Sequence, residues 1–136
     1  VGDEQIIEAA KLSGLIGLIN ALPNGLDTVV PEGGESVSGG QKQLIALTRM
    51  IVANKKIILL DEPTASMDEG TEKQIITMLK NRMDSNQTMI VVTHKPIVLN
   101  MVDRIIVLTP NGIAIDDTKE EVLNKLSAPK NIVAKV

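Results

Sequence analysis

Four short clusters in the chain carry side chains capable of chemistry. Ser38-Gly39-Gly40-Gln41 opens an apolar stretch. Two glycines let backbone come close to an anion, and a helix start offers free N–H groups and the positive end of its dipole. Ser38 adds a hydroxyl. The same residues also read as a loop ending in a serine N-cap, and Ser-Gly-Gly taken alone favours that plainer reading. Ile57-Ile58-Leu59-Leu60-Asp61-Glu62 is an apolar run ending in two acids. A strand of this kind delivers carboxylates to the carboxyl edge of a sheet, where open α/β folds bind ligands. One acid can hold Mg²⁺ through water while its neighbour orients an attacking water. A strand followed by a solvated acidic turn fits equally well. Thr93-His94 follows a second apolar run and contains the chain's only histidine. A lone histidine is usually structural or solvated, but a place at the carboxyl end of a neighbouring strand favours function. Between these clusters, Ser66-Met67-Asp68 reads in isolation as a helix cap.

Holding these clusters in place takes helices and strands in alternation. Asp3 is placed to cap a helix through about Lys11, with Ile6, Ile7 and Ala10 on one face. A short helix follows over Leu15 to Leu22, and Pro23 to Gly40 reads as loop. From Gln41 to about Ala53 the pattern is helical through Leu44, Leu47 and Ile51, and so apolar elsewhere that a largely buried helix is expected. Ile57 to Leu60 and Thr88 to Val92 are unbroken apolar runs, which predicts parallel strands covered on both faces. A helix lies between them over Thr71 to Met83, and a short one follows Pro96. Arg104 to Leu108 and Ile113 to Ile115 flank the hairpin-type turn Pro110-Asn111-Gly112. Thr118 with Glu121 is a capping box that opens a last helix to about Leu126. The class is α/β with a parallel sheet, and the helices ahead of the first strand read as a helical insertion.

The bulk numbers narrow the function. A net charge of −3, with no cluster of Lys or Arg, leaves no electrostatic footprint for nucleic acid. Phe, Tyr and Trp are absent, which removes the stacking platform that single-strand binders use. The absence of cysteine excludes disulfide scaffolds and cysteine-based zinc sites. No apolar run approaches the ~20 residues of a membrane span. The start, Val1-Gly2-Asp3-Glu4, is no signal peptide and lacks an initiator Met, so the chain is expected to begin inside a longer one.

The order of the clusters is more specific than any one of them. Ser38 precedes Asp61 by 23 residues and Glu62 precedes His94 by 32, with one helix inside each interval. That arrangement resembles the signature motif, Walker B strand, D-loop and switch histidine of ATP-binding-cassette (ABC) ATPases, over roughly Pro23 to Ile115. Upstream, Pro23-Asn24-Gly25-Leu26-Asp27-Thr28 and Glu32-Gly33-Gly34 resemble the segment that precedes the signature in exporters, especially type I secretion ATPases. The resemblance implies ATP sandwiched between two head-to-tail nucleotide-binding domains. Ser38, Gly39 and Gly40 would meet the γ-phosphate of the partner's ATP, with Gln41 near the ribose. Asp61 would serve Mg²⁺ on the chain's own ATP, and Glu62 would polarise the attacking water. His94 would touch the γ-phosphate, and Asp68, in the D-loop with Ser66, would couple the two sites across the interface. It further implies the transmembrane domains of an exporter as partners, a place at the cytoplasmic face of the inner or plasma membrane, and export of a protein or peptide.

The sequence departs from the family in one respect: no G-x-x-x-x-G-K-[S/T] loop is present. The glutamine loop and the adenine-stacking aromatic are also missing, in keeping with their lying upstream. The expected architecture is therefore a partial P-loop NTPase core. About 1–53 form a helical subdomain with the signature, about 54–126 carry the Walker B, D-loop and histidine part, and 127–136 are a loosely ordered tail. The chain alone is expected to be inactive and, with an orphaned sheet edge, to self-associate. Two other readings compete: the C-terminal lobe of a chromosome-maintenance ATPase, disfavoured because no charged heptad run leads into the signature, and a non-catalytic ABC-like regulatory module, disfavoured by intact Glu62 and His94.

Overall fold

The computed structural model describes residues 1–31 and 36–127. Glu32-Gly33-Gly34 of the exporter-like segment and the tail beyond Ser127 lie outside the described residues. The chain divides into two compact units, residues 1–95 and residues 96 onward.

The first unit begins with three helices: α1 (Asp3–Ser13), α2 (Ile16–Ala21) and, after a 3₁₀ turn at Gly25–Asp27, α3 (Gly39–Ala53). The expected cap at Asp3 is corrected by one residue. Gly2 is the N-cap of α1, and its N–H donates to Oε1 of Gln5 at 3.3 Å. Asp3 instead lies in the first turn, where its charge complements the helix dipole. Gly14, at φ 82°, ends the helix in the left-handed region that a glycine enters without strain.

Helix α1 packs on α3. Buried Ala9 and Ala10 keep the α1 surface low, while Leu47 and Ile51 are buried from α3. The expectation of a largely buried α3 holds only for one stripe: Leu47, Thr48 and Ile51 are buried, whereas Lys42, Ala46 and Arg49 are exposed. A polar contact crosses the helix pair. Ser13 Oγ and Thr48 Oγ1 are 2.7 Å apart, Thr48 Oγ1 donates to the Leu44 carbonyl at 2.7 Å, and the Leu15 N–H donates to Ser13 Oγ at 3.3 Å. Both hydroxyls are buried, at 1% and 4% exposure. Ser13→Ala would strand the Leu15 N–H and one hydroxyl bond, so we expect a loss of about 1–2 kcal/mol. The check is denaturant unfolding, with a lower midpoint at unchanged slope.

The strands β1 (Ile57–Asp61) and β2 (Thr88–Val92) pair in parallel, from Ile57↔Thr88 to Asp61↔Val92, with α4 (Glu69–Arg82) between them in sequence. Ile58, Ile75, Ile76 and Leu79 are buried on the covered side. The expectation that both strand faces are covered is overturned. Ile57, Leu59, Ile90 and Val92 are 66%, 72%, 53% and 61% exposed. Their composition is that of strands buried on two faces, and the described residues supply cover for one.

The second unit contains a 3₁₀ helix at Pro96–Met101, the antiparallel hairpin β3 (Arg104–Thr109) and β4 (Gly112–Thr118), and α5 (Lys119–Ser127). Gly112, at φ 108°, makes the hairpin turn. Arg104 grips Asp116 through two bonds of 2.7 and 2.9 Å, and Thr118 Oγ1 accepts from the Glu121 N–H at the start of α5. Val98 and Val122 are fully buried.

Candidate catalytic and nucleotide-facing site

The acid pair and the histidine meet at the carboxyl end of the parallel strands. Register pairs Asp61 with Val92, and the Glu62 N–H extends the ladder by donating to the Val92 carbonyl at 2.9 Å. Glu62 then turns the chain with φ at 44°, a left-handed conformation unusual for a residue with a side chain. The turn aims its carboxylate at the end of β2. Oε1 accepts from the His94 N–H at 3.1 Å and from His94 Nδ1 at 2.6 Å, and Oε2 accepts from Thr93 Oγ1 at 3.1 Å.

These donors hold the Glu62 carboxyl below its ordinary value. The His94 side-chain bond is the largest cause, partial burial opposes it, and Thr93 adds to the lowering. The group is therefore ionised at neutral pH. An ionised carboxylate can only accept, so Nδ1 of His94 carries the proton in this bond. The His94 side chain is otherwise open to solvent.

Asp61 is exposed at the strand end, and no described residue hydrogen-bonds its carboxylate. Among the described residues no three acids, histidines or cysteines converge on a metal-sized site. One free carboxylate suits Mg²⁺, which keeps several waters and binds through one or two carboxylates plus substrate phosphates. It does not suit an ion that needs an all-protein cage.

Ser38 is the N-cap of α3, and Gln41 completes a capping box with it. Ser38 Oγ accepts from the Gln41 N–H at 3.2 Å, and Gln41 Oε1 accepts from the Ser38 N–H at 2.8 Å. Gly39 and Gly40 are the first helical residues. Close approach of a neighbour explains both: a Cβ on Gly40 would lie 3.0 Å from the Ser66 carbonyl oxygen, and one on Gly39 3.2 Å from Ser66 Cβ and Oγ. The glycines admit the Ser66 loop as well as leaving backbone free for an anion. Asp68 caps α4, accepting from the N–H groups of Gly70 and Thr71 at 3.0 Å each and from Thr71 Oγ1 at 2.6 Å. The Thr71 hydroxyl, then its N–H, hold the Asp68 carboxyl below its ordinary value.

The structure thus brings together Glu62, Thr93 and His94 in one cluster, and Gly39, Gly40 and Ser66 in another. No hydrogen bond among the described residues joins Ser38, Gly39 or Gly40 to Glu62 or His94. A groove of about 730 Å³ between α1 and α4, bordered by Lys11, Leu12, Lys73 and Met78, contains none of these residues.

Three contributors lie outside the four clusters read from the sequence. Gln43 bridges the clusters, donating from Nε2 to the Glu62 carbonyl and accepting at Oε1 from the Ser66 N–H, both at 3.2 Å. Lys95 Nζ donates to the Thr64 carbonyl at 2.9 Å and to Glu72 Oε1 at 2.8 Å. Thr64 Oγ1 donates to the same Glu72 oxygen. Lys95 directly follows His94, and that adjacency is the one hint the sequence offered.

Comparison with known proteins agrees with this geometry. The family model for ABC transporters matches residues 4–65, from α1 through the acid pair. The alpha-hemolysin translocation ATP-binding protein HlyB of Escherichia coli O157:H7 is 38% identical over 125 residues, 92% of this chain and 18% of its own length. ABC transporter B family member 14 of Arabidopsis thaliana is 41% identical over 122 residues, 90% of this chain and 10% of its own. The solved structure of a bacterial Atm1-family ABC exporter with ATP bound superposes over 93% of this chain and 22% of that one, with a TM-score of 0.82 and 31% identity. The chain spans about a tenth to a fifth of the length of these relatives. A helical segment leading into parallel strands, with these motifs in this order and these relatives, belongs to the ABC transporter family, as part of a nucleotide-binding domain related to exporter-type ATPases.

Proposed function

We propose that these residues are the C-terminal part of the ATP-hydrolysing domain of an exporter, with Glu62 as the base that polarises the attacking water. The observation that carries this reading is the clamped carboxylate at the carboxyl end of the parallel strands. Glu62 is ionised, turned out of the strand by its backbone and held by Thr93 and His94. Asp61 beside it, whose carboxylate no described residue hydrogen-bonds, is the residue suited to Mg²⁺, which would neutralise phosphate charge when bound. Phosphoryl transfer depends mainly on positioning and charge neutralisation, and two fixed carboxylates and an imidazole supply both. With Nδ1–H given to Glu62, His94 offers a phosphate oxygen a donor only through a protonated Nε2.

Ser38, Gly39 and Gly40 serve a second nucleotide-binding domain in this reading. Among the described residues no hydrogen bond ties them to the chain's own acid pair, and their place at the start of α3 suits a phosphate held by the partner. Asp68 and Ser66 lie on the loop that would line the dimer interface. We assign about 1–53 to the helical subdomain and about 54–126 to the core. Transmembrane domains, a position at the cytoplasmic membrane face and a protein or peptide substrate complete the reading. Among the described residues no helix is long and apolar enough to cross a membrane. The names of the relatives, a translocation ATP-binding protein and an exporter, support transport over chromosome maintenance.

The test is phosphate release from ATP by the full-length protein in lipid nanodiscs. Release that requires Mg²⁺ is expected. The 136-residue chain, which lacks a G-x-x-x-x-G-K-[S/T] loop, is expected to release none above background. A full-length protein inert towards MgATP, or an active isolated chain, contradicts the proposal.

A further inference from the structure

We propose that Gln43 is a positioning residue, which from α3 holds the Glu62–Ser66 loop, and through it the Glu62 carboxylate, in register with the Ser38–Gly40 end of the same helix. The inference rests on the reading of Glu62 as the residue that polarises the attacking water.

Glu62 sits in a backbone conformation that a residue with a side chain leaves unless its surroundings hold it. Its N–H is tied to Val92 and its carboxylate to Thr93 and His94, all at the end of β2. Its carbonyl accepts from the Ala65 N–H at 3.1 Å, inside the loop, and from Gln43 Nε2 at 3.2 Å. Among the hydrogen bonds of the described residues, the Gln43 bond is the tie to Glu62 that comes from the helix. The same amide accepts from the Ser66 N–H, so one side chain grips both ends of the loop. Gln43 lies three and four residues after Gly40 and Gly39, and such spacings share a helix face. Those glycines lie against Ser66, with room for no more than a tight contact had either carried a Cβ.

The loop therefore meets α3 at three successive points, and a shift of the helix start is passed to the backbone of Glu62. On the head-to-tail reading that helix start faces nucleotide held by the partner domain. Gln43 then links occupancy across the interface to the placement of the chain's own hydrolytic carboxylate.

Substitutions in the full-length protein separate this role from simple packing. Gln43→Met keeps the shape and removes both bonds. Turnover is expected to fall about tenfold with KM for ATP within about twofold, because misplacement of a reacting group costs rate more than ground-state binding. Gln43→Glu keeps the acceptor for Ser66 but sets a carboxylate oxygen against the Glu62 carbonyl. Its rate relative to wild type is expected to climb as pH is lowered from about 8 towards about 5, into the ordinary glutamate range, as the new carboxyl regains a donor proton. A Gln43→Met protein that turns over within about twofold of wild type, or loses ATP affinity in step with rate, overturns the proposal. If Gln43→Met does not fold, the Gln43→Glu profile decides, and a ratio to wild type that stays flat with pH overturns it. Glu62→Gln, measured alongside, separates the two readings. If it leaves turnover unchanged, the assignment of Glu62 itself fails. If it abolishes turnover while Gln43→Met does not, only the role of Gln43 fails.

Discussion

Glu62→Gln in the full-length protein is expected to lower ATP turnover by roughly 100- to 10,000-fold, the range that a positioned acid or base contributes, while ATP binding is retained. The argument rests on what the amide can keep. Its oxygen can still accept from the His94 N–H and from Nδ1, the two bonds that Oε1 makes in the wild type. Its NH₂ group then faces Thr93 Oγ1, and that hydroxyl rotates to accept instead of donate. The left-handed turn, the ladder bond to Val92 and the Gln43 bridge involve backbone atoms of Glu62, which the substitution leaves alone. Little is lost from the fold, so a large fall in rate at unchanged affinity reports chemistry. The measurement is kcat and nucleotide affinity on the same preparation, with the unfolding midpoint as control. A kcat within about fivefold of wild type removes Glu62 from the mechanism.

A pH dependence accompanies this result. The His94 bond, chiefly, holds the Glu62 carboxyl below its ordinary value. A depressed folded-state value means that the ionised form persists as pH falls through the ordinary carboxylate range. Wild-type turnover should therefore lose less to protonation of Glu62, as pH falls towards the ordinary glutamate value of 4.5, than a glutamate without these donors would lose. His94→Ala removes the main cause and should move the acid limb of the rate profile upward.

Which features were legible follows from how local their causes are. The start of α3 is written in Ser38 and Gln41, three residues apart, because a capping box is satisfied within one turn. The hairpin is written in Asn111-Gly112 for the same reason. The meeting of Glu62 with His94, 32 residues apart, was legible only through topology: two apolar runs joined by a helix form a parallel pair with both carboxyl ends at one edge. The illegible features are those whose partners are set by packing. Nothing in the run Gln41-Lys42-Gln43 says that the third residue, rather than the first, reaches Glu62. The left-handed backbone of Glu62 is hidden too, because glutamate is not a residue that announces such a turn. The exposed faces at Ile57, Leu59, Ile90 and Val92 mark a further limit, since an apolar run reports which faces need cover and not which segment covers them.

Lys95→Met is the second large effect, and it falls on stability. Glu72 is a buried carboxylate in the first turn of α4, with its side chain 9% exposed, and the Lys95 side chain is 24% exposed. Removing one partner of a buried ion pair leaves the other charge uncompensated, at about 3–5 kcal/mol when both are fully buried. The partial exposure of Lys95 lets water reach its vacated position, so roughly 2 kcal/mol is expected at neutral pH. The Lys95 bond is the largest cause of the lowered Glu72 carboxyl, Thr64 is the next, and burial opposes both. A depressed folded-state value contributes stability that is present above the ordinary value and lost as pH falls through the folded one. With Lys95 removed, burial acts on Glu72 with only Thr64 against it, and its carboxyl moves up. The deficit of Lys95→Met should thus be largest at neutral pH and shrink as pH falls below the ordinary glutamate value of 4.5, where a protonated Glu72 needs no cation. Glu72→Gln introduced into the Lys95→Met protein should recover most of the loss, because no charge then stays buried. Denaturant unfolding of the complete nucleotide-binding domain across pH reads both effects. Additive losses in the double variant, or a deficit that does not change with pH, would mean that this pair does not fasten the segment after β2 that carries His94 to the loop that carries Thr64.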